Sequence, residues 1–326
     1  MKSIVFICNS TESEGLGHFI RCFNIATGIN YLNPKVNIYF DGSFCNFAIS
    51  KIKNHNFRLI KEKERFSIFN QSILIFDSYL HDQKKINEFT SRGLISIKID
   101  DFNKYNLSEV DCVINFRLGA ENEVYNSKKS LLGLQYFPFP IDLINVRKKN
   151  LNKLKKKTIT KKNILIFIGG DDRFGISKKI LMELDHLLCK KTFFWIDRKH
   201  NNEKIVLKNN ILRRFDLQKN ISQILEEIDC VICGGGLIKY DCGFSLIPCG
   251  SISQTLEQEI DSKICSSKNL IYNFGMYENI YKPNFSYSLK KFFEDSNLIL
   301  IRENMSKNYV SDSTIKLSKE IIKYCI

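Results

Sequence analysis

The sequence predicts an α/β protein made of two Rossmann-like domains, each with a parallel sheet covered on both faces. Short β-branched apolar runs alternate with helical patterns along most of the chain. The rhythm breaks once, at a polybasic stretch near the middle, and then starts again. Each half also carries a glycine-bearing turn between a buried strand and a helix, where backbone comes close to a ligand.

In the first half, strands are expected at residues 4–8, 36–40, 73–76, 94–99 and 112–115, with helices near 17–32, 44–54 and 82–91. Continuous apolar strands separated by helices argue for a parallel sheet, whose ligands bind at the C-terminal strand ends. The turn after the first strand holds Gly15, Gly17 and His18, with Arg21 and Cys22 one helical step on. An ordinary βα turn with an exposed His is the plain alternative. Asp77, Ser78 and Tyr79 follow the third strand, and Asp100 with Asp101 follows the fourth. Each of these Asp residues is either a helix cap or a ligand contact at the edge that carries His18. The extended, Pro-limited segment 130–140 closes this half.

The expected domains are 1–146 and 163–326, joined by a basic linker at 147–162. Arg147, Lys148, Lys149, Lys153, Lys155, Lys156, Lys157, Lys161 and Lys162 have no acid among them; removing these nine charges from the net +14 leaves +5 elsewhere. A solvated linker is the first reading, and a weak contact with a membrane surface is the alternative use. No nucleic-acid-binding motif accompanies the run.

The second half opens with a buried strand at 163–168 that ends in Gly169, Gly170, Asp171 and Asp172. Strands at 192–196, 211–215 and 230–233 alternate with helices near 177–189 and 221–226. Gly234, Gly235, Gly236, Leu237, Ile238, Lys239, Tyr240 and Asp241 then lead into a helix, a setting that suits a phosphate on free N–H groups and a helix dipole. A turn that is merely tight is the alternative. A short strand ends at 247–249, a helix at 254–264 carries Gln258, a strand runs over 268–272, and helices near 286–293 and 313–324 follow. Walker-type and G-x-G-x-x-G loops are absent.

The eleven cysteines do not form a secreted-type framework. Several lie in strand-like apolar runs, and Cys230 and Cys233 would point to opposite faces of one strand. Reduced thiols and a cytoplasmic location are expected, since residues 4–8 are too short for a signal-peptide core and nothing approaches a membrane span. Five widely spaced histidines offer no metal-ligand spacing, so neither metal nor cofactor is expected.

Taken in order, Gly15-Leu-Gly-His18-Phe-Ile-Arg21-Cys22, Asp77-Ser-Tyr79, Asp100-Asp101, Leu131-Leu-Gly133 with Tyr136, Gly169-Gly170 with Asp172, and the loop from Gly234 to Asp241 resemble the signatures of the pseudaminic-acid pathway UDP-sugar hydrolase family and related spore-coat polysaccharide proteins. The resemblance spans roughly residues 1–275. It implies the GT-B layout, two Rossmann-like domains facing each other across a cleft. It also implies hydrolysis of a UDP-linked 2,4-diacetamido-2,4,6-trideoxy hexose, so the expected partner is a UDP-amino sugar; a monomer is expected besides.

His18 falls on the family's catalytic base, with Gly15, Gly17, Arg21, Asp77, Tyr79, Asp101 and Tyr136 expected around the sugar. Gly170, Gly234, Gly235, Gly236, Leu237, Ile238, Tyr240, Asp241 and Gln258 fall on the nucleotide site. Where the family has an aromatic residue followed by Glu, this chain has Tyr240-Asp241, one methylene shorter. A GT-B glycosyltransferase is the alternative activity, because one fold hosts both chemistries.

Overall fold

The computed structural model describes residues 2–11, 14–154, 159–169, 172–196, 204–215 and 221–325. Two compact units emerge: Met1–Ile141 with Asp312–Ile326, and Asp142–Ser311.

In the first unit the chain runs β1 (Ser3–Cys8), α1 (Gly17–Leu32), β2 (Ile38–Asp41), α2 (Asn46–Asn54), β3 (Arg58–Leu59), α3 (Glu62–Phe69), β4 (Ser72–Asp77), α4 (Gln83–Arg92), β5 (Ile95–Ile99), β6 (Cys112–Asn115) and β7 (Ser130–Leu132). The strands form a sheet in the order β3-β2-β1-β4-β5-β6-β7, every pairing parallel. Ile4, Val5 and Phe6 of β1 and Ile73 to Phe76 of β4 are fully buried, as a sheet covered on both faces requires. The strand order reverses between β1 and β4, and that switch point is where an open α/β sheet leaves a crevice at its C-terminal edge.

The second unit holds α5 (Leu143–Leu151), β8 (Asn163–Phe167), α6 (Ile176–Leu187), β9 (Thr192–Trp195), β10 (Ile211–Arg214), α7 (Ile221–Leu225), β11 (Cys230–Gly234), α8 (Ile238–Ser245), β12 (Cys249–Ser253), α9 (Leu256–Ser267), β13 (Tyr272–Met276), α10 (Phe285–Phe292) and α11 (Asp295–Asn308). Its sheet has the order β10-β9-β8-β11-β12-β13, again parallel, with the switch point between β8 and β11.

Two boundaries differ from the sequence expectation. The last helix, α12 (Ser313–Ile322), belongs to the first unit and not to the second. It lies against α1 so closely that a Cβ on Gly28 would stand 2.9 Å from Thr314 Cγ2, and Thr314 Oγ1 donates to the Phe139 carbonyl at 2.8 Å. The start of the basic stretch is also helix and not linker. Arg147 is buried on α5, its guanidinium capping the carbonyls of Phe244 (2.7 Å) and Tyr309 (2.5 Å), while Asn150 takes that of Ser245 at 2.9 Å. These three acceptors lie at or beyond the C-terminal ends of α8 and α11, where carbonyls lack helical partners.

α3, α11 and the short β3 and β7 were not foreseen, and β13 begins where a strand was expected to end. The eleven cysteines are free thiols. Among the described residues, no helix is long and apolar enough to cross a membrane.

Candidate functional site

In the first unit the site grows from the β1/β4 switch point. α1 starts at Gly17, so its first turn presents His18 and its second Arg21, three residues apart on one face. Asp77 ends β4 and is fully buried. His18 Nδ1 lies 2.7 Å from Asp77 Oδ1. Arg21 grips the same carboxylate with two nitrogens, Nε on Oδ2 and Nη2 on Oδ1 at 2.5 Å, and sends Nη1 to Asp101 Oδ2 at 2.7 Å.

Burial alone would push the Asp77 carboxyl up, but Arg21 and His18 hold it well below the usual carboxylate range. Burial likewise opposes the charge on Arg21, and Asp101 and Asp77 more than reverse that. His18 Nδ1 also lies 3.2 Å from Arg21 Nη2, but the nearer Asp77 oxygen can only accept; in the tautomer that carries its proton on Nδ1 the imidazole donates to Asp77, and Nε2 keeps the lone pair.

Tyr79 stands edge-on to His18, ring centroids 4.5 Å apart, and its hydroxyl donates to Asp101 Oδ2 at 2.6 Å. The Arg21 guanidinium lies over the Tyr79 and Phe116 rings, 5.8 and 5.4 Å from their centroids. Gly15 adopts φ +72°, a conformation that L side chains rarely take, and a Cβ on Gly15 or Gly17 would meet nothing within 4 Å.

Glu14 ties this loop to the strand end. Its carboxylate accepts from Asn9 Nδ2 and from Ser78 Oγ, both at 2.6 Å. Sequence reasoning missed Glu14, Phe116 and Arg117, whose Nη1 donates to the Asp101 carbonyl at 2.7 Å. Position just past a strand would have pointed to Phe116 and Arg117. An acid inside a polar loop gives no comparable signal.

Two of the residues expected around the sugar have their own described partners. Arg21 meets the carboxylates of Asp77 and Asp101, and its Nη2 also lies 3.2 Å from His18 Nδ1. Tyr136 lies under the Lys316 ammonium of α12 (4.8 Å) and is not among the described partners of His18.

In the second unit, the loop after β11 sits at the β8/β11 switch point. Gly234 leaves no room for a side chain, since a Cβ there would overlap the Ile168 carbonyl. A Cβ on Gly235 would press on Gln258 Cβ at 2.8 Å and Ser253 Oγ at 3.0 Å, so Gln258 does abut the glycine loop. Gly236 faces open space. The Gly235 N–H pairs with the Ile252 carbonyl, whereas those of Gly236 and Leu237 have no partner among the described residues.

Lys239 of the glycine loop turns inward. It is 1% exposed, with Nζ on the carbonyls of Gly235 and Gly236 (the latter 3.2 Å) and on Asp261 Oδ2 at 2.7 Å. Tyr240 is buried and donates to Asp261 Oδ1 at 2.7 Å. Asp241 is partly buried in the first turn of α8, and burial pushes its carboxyl up to about 8. Asp172 caps α6 by accepting from the N–H groups of Ile176 and Ser177, each at 2.8 Å. Gly170 lies outside the described residues. Among those residues, no group of three or more His, Cys, Asp or Glu is arranged to hold a metal ion.

No family model matches the chain. An uncharacterized protein of Methanocaldococcus jannaschii, MJ1062, is 25% identical over 265 residues, which is 75% of this chain and 54% of that protein. The chain therefore spans about half the length of the curated relative it matches. Among solved structures, S. aureus MnaA in a co-structure with UDP superposes with a TM-score of 0.66 at 9% identity, covering 100% of this chain and 97% of the other. MurG of Acinetobacter baumannii gives 0.64 at 9% (98% and 99% covered), and the glycotransferase of kitacinnamycin 0.62 at 9% (99% and 98%). At these identities the likeness concerns the fold alone: two parallel-sheet α/β domains of the GT-B type.

Proposed function

We propose that this chain is a nucleotide-sugar enzyme that moves a sugar from a nucleoside diphosphate to an oxygen nucleophile, with His18 as general base. The observation that carries the reading is the buried His18–Asp77 pair at the β1/β4 switch point. A base for this step must be neutral near pH 7 and hold a proton on one nitrogen while the other accepts one. Asp77 supplies that orientation and stabilises the imidazolium as it forms.

The nucleotide half of the reading belongs to the second unit. The diphosphate lies on the N–H groups of Gly236 and Leu237, and the ribose meets Asp241, where a carboxylate accepts from a diol. The GT-B likeness supports a nucleotide sugar as donor, since one of the matched structures carries UDP.

Transfer to a hydroxyl of a sugar or glycan acceptor is the first reading of the nucleophile, because the structural neighbours include a glycotransferase. Hydrolysis of a UDP-linked 2,4-diacetamido-2,4,6-trideoxy hexose is the second. It is favoured by the Gly15-Leu-Gly-His18-Phe-Ile-Arg21-Cys22 element.

The test is incubation with a panel of UDP, CMP and GDP sugars, with and without acceptor glycans, products followed by mass spectrometry. Nucleotide release that requires an acceptor selects transfer, and release at the same rate in its absence selects hydrolysis. No release from any donor, with or without acceptor, removes the reading.

A further inference from the structure

We infer that Arg21 and Asp101 form a counter-charge pair that holds Asp77 against His18 and offsets its charge, each acting as a positioning residue and neither as a substrate ligand. The inference rests on the reading of His18 as a base, and deepens it.

Arg21 is 5% exposed and shares its guanidinium between two carboxylates, Asp77 through Nε and Nη2 and Asp101 through Nη1, with Nη2 also 3.2 Å from His18 Nδ1, so its charge bears on the imidazole directly. Aromatic rings of Tyr79 and Phe116 cover it. Asp101, 4% exposed, accepts twice on Oδ2, from Arg21 and from the Tyr79 hydroxyl, while its buried Oδ1 has no partner among the described residues. A second carboxylate kept in so poor a hydrogen-bonding position is not there for its own stability, because a buried oxygen left unpaired carries its full desolvation cost.

The charges around His18 explain it. From α1 come Arg21 and the Cys22 thiol, which burial keeps protonated, and from β1 the Cys8 thiol beside it. From β4 and the turn after it come Asp77, Tyr79 and His81, the last pushed down to about 4 by burial and Lys98, hence neutral. From β5 and its end come Asp101 and the pair Lys98–Asp100, 3.7 Å apart. From beyond β6 comes Arg117, held on the Asp101 carbonyl.

Within the core of this set, two carboxylates face one guanidinium. If Arg21 paired with Asp77 alone, the pair would be neutral and would give an imidazolium little support. Asp101 balances Arg21, so that Asp77 keeps its geometry from the guanidinium without losing its field to it.

The two residues therefore act on His18 with opposite sign. Removing the Asp101 charge makes the imidazole harder to protonate, and removing Arg21 makes it easier. The experiment is a ring ¹H–¹³C NMR titration of the full chain, with the His18 resonance assigned through His18→Gln. Asp101→Asn, which keeps the shape and an oxygen for Arg21, is expected to lower the His18 midpoint by about half to one pH unit. Arg21→Gln is expected to raise it by a similar amount, and the double variant to return it to within about 0.3 unit of the parent.

Where Arg21→Gln fails to fold, Asp101→Asn alone decides. An unmoved or raised midpoint in Asp101→Asn overturns the pairing. So does a KM for the nucleotide sugar raised more than about tenfold in that variant with kcat unchanged, which would make Asp101 a substrate ligand. The titration needs no turnover: opposite shifts in a protein that releases nucleotide from no donor would sustain the charge pair and remove the general-base reading.

Discussion

The two units answer the same local problem in different ways. Each places a buried cation near the start of the helix that follows its glycine-bearing loop, Arg21 in the second turn of α1 and Lys239 in the first turn of α8, beside a switch point in a parallel sheet. Arg21 faces carboxylates and sets the charge around a histidine. Lys239 divides itself between the carbonyls of its own loop and the Asp261 carboxylate, and sets the shape of the backbone. A buried cation whose carboxylate also meets a histidine bears on that histidine's charge, whereas one that joins a carboxylate to two loop carbonyls holds a cradle, and a planar fork and a compact ammonium suit the two tasks.

Substituting the group that the Arg21 network serves should break this comparison most sharply. His18→Asn is expected to lower turnover by about 10² to 10⁴ while UDP affinity stays within about twofold, because the nucleotide contacts proposed above belong to the second unit. Turnover and calorimetric UDP binding, measured on one preparation, check this; a variant with more than about a tenth of parental activity would rule out the general-base role.

On the other side, the loop's shape depends on the absence of a side chain. Gly234→Ala must displace the Ile168 carbonyl and is expected to cost more than about 4 kcal/mol, whereas Gly236→Ala, with open space at its Cβ, should stay within about 0.5 kcal/mol. Chemical denaturation of the two variants separates them. Equal stabilities would mean that the loop relaxes, contrary to its packing on β8.

Lys239→Met sharpens the contrast further. It strips two carbonyls and Asp261 of their cation, at an expected cost of about 3 kcal/mol, and should weaken UDP binding. Asp261→Asn separates a tie from a phosphate ligand: a tie predicts weaker binding, a ligand released from its partner predicts tighter binding.

The last prediction concerns pH. An unfolded Asp titrates near 4, and Asp241 titrates at about 8 in the fold, so folding takes up a proton between them. The stability that Asp241 contributes is present at low pH and is lost as pH rises from about 4 to about 8. A ribose diol favours the ionised carboxylate, so UDP affinity is expected to rise several-fold between about pH 6 and 8, and Asp241→Asn should flatten that slope. Calorimetry at the two pH values measures it; an affinity that falls with pH would mean that the carboxylic acid donates instead.

Much of this was legible along the chain because its signals are local. An apolar run followed by Gly15, Gly17 and a helical pattern puts His18 and Arg21 on one face, and position just after a strand singles out Asp77 and Asp101. What a side chain meets is set by residues far away in sequence, and there the reading failed. Arg21 and Lys239 look like free cations until Asp77, Asp101 and Asp261 arrive from other strands and helices. Arg147 reads as one of a solvated run because its acceptors, the Phe244 and Tyr309 carbonyls, carry no sequence signature. α11 escaped for a related reason. Its buried face of Leu298, Ile301, Arg302 and Met305 has the right spacing, but Asp295, Ser296, Asn297 and Asn304 dilute the pattern.

The return of Asp312–Ile326 to the first unit has a consequence for the order of events during synthesis. A ribosome releases β1 to β7 long before α12, so α1 waits with the face around Gly28 uncovered while the whole of Asp142–Ser311 is made. The second unit is continuous in sequence and can fold as soon as it emerges. The half that carries His18 is therefore begun first and finished last, and a stop codon near residue 310 would deprive α1 of its cover while leaving every catalytic candidate encoded.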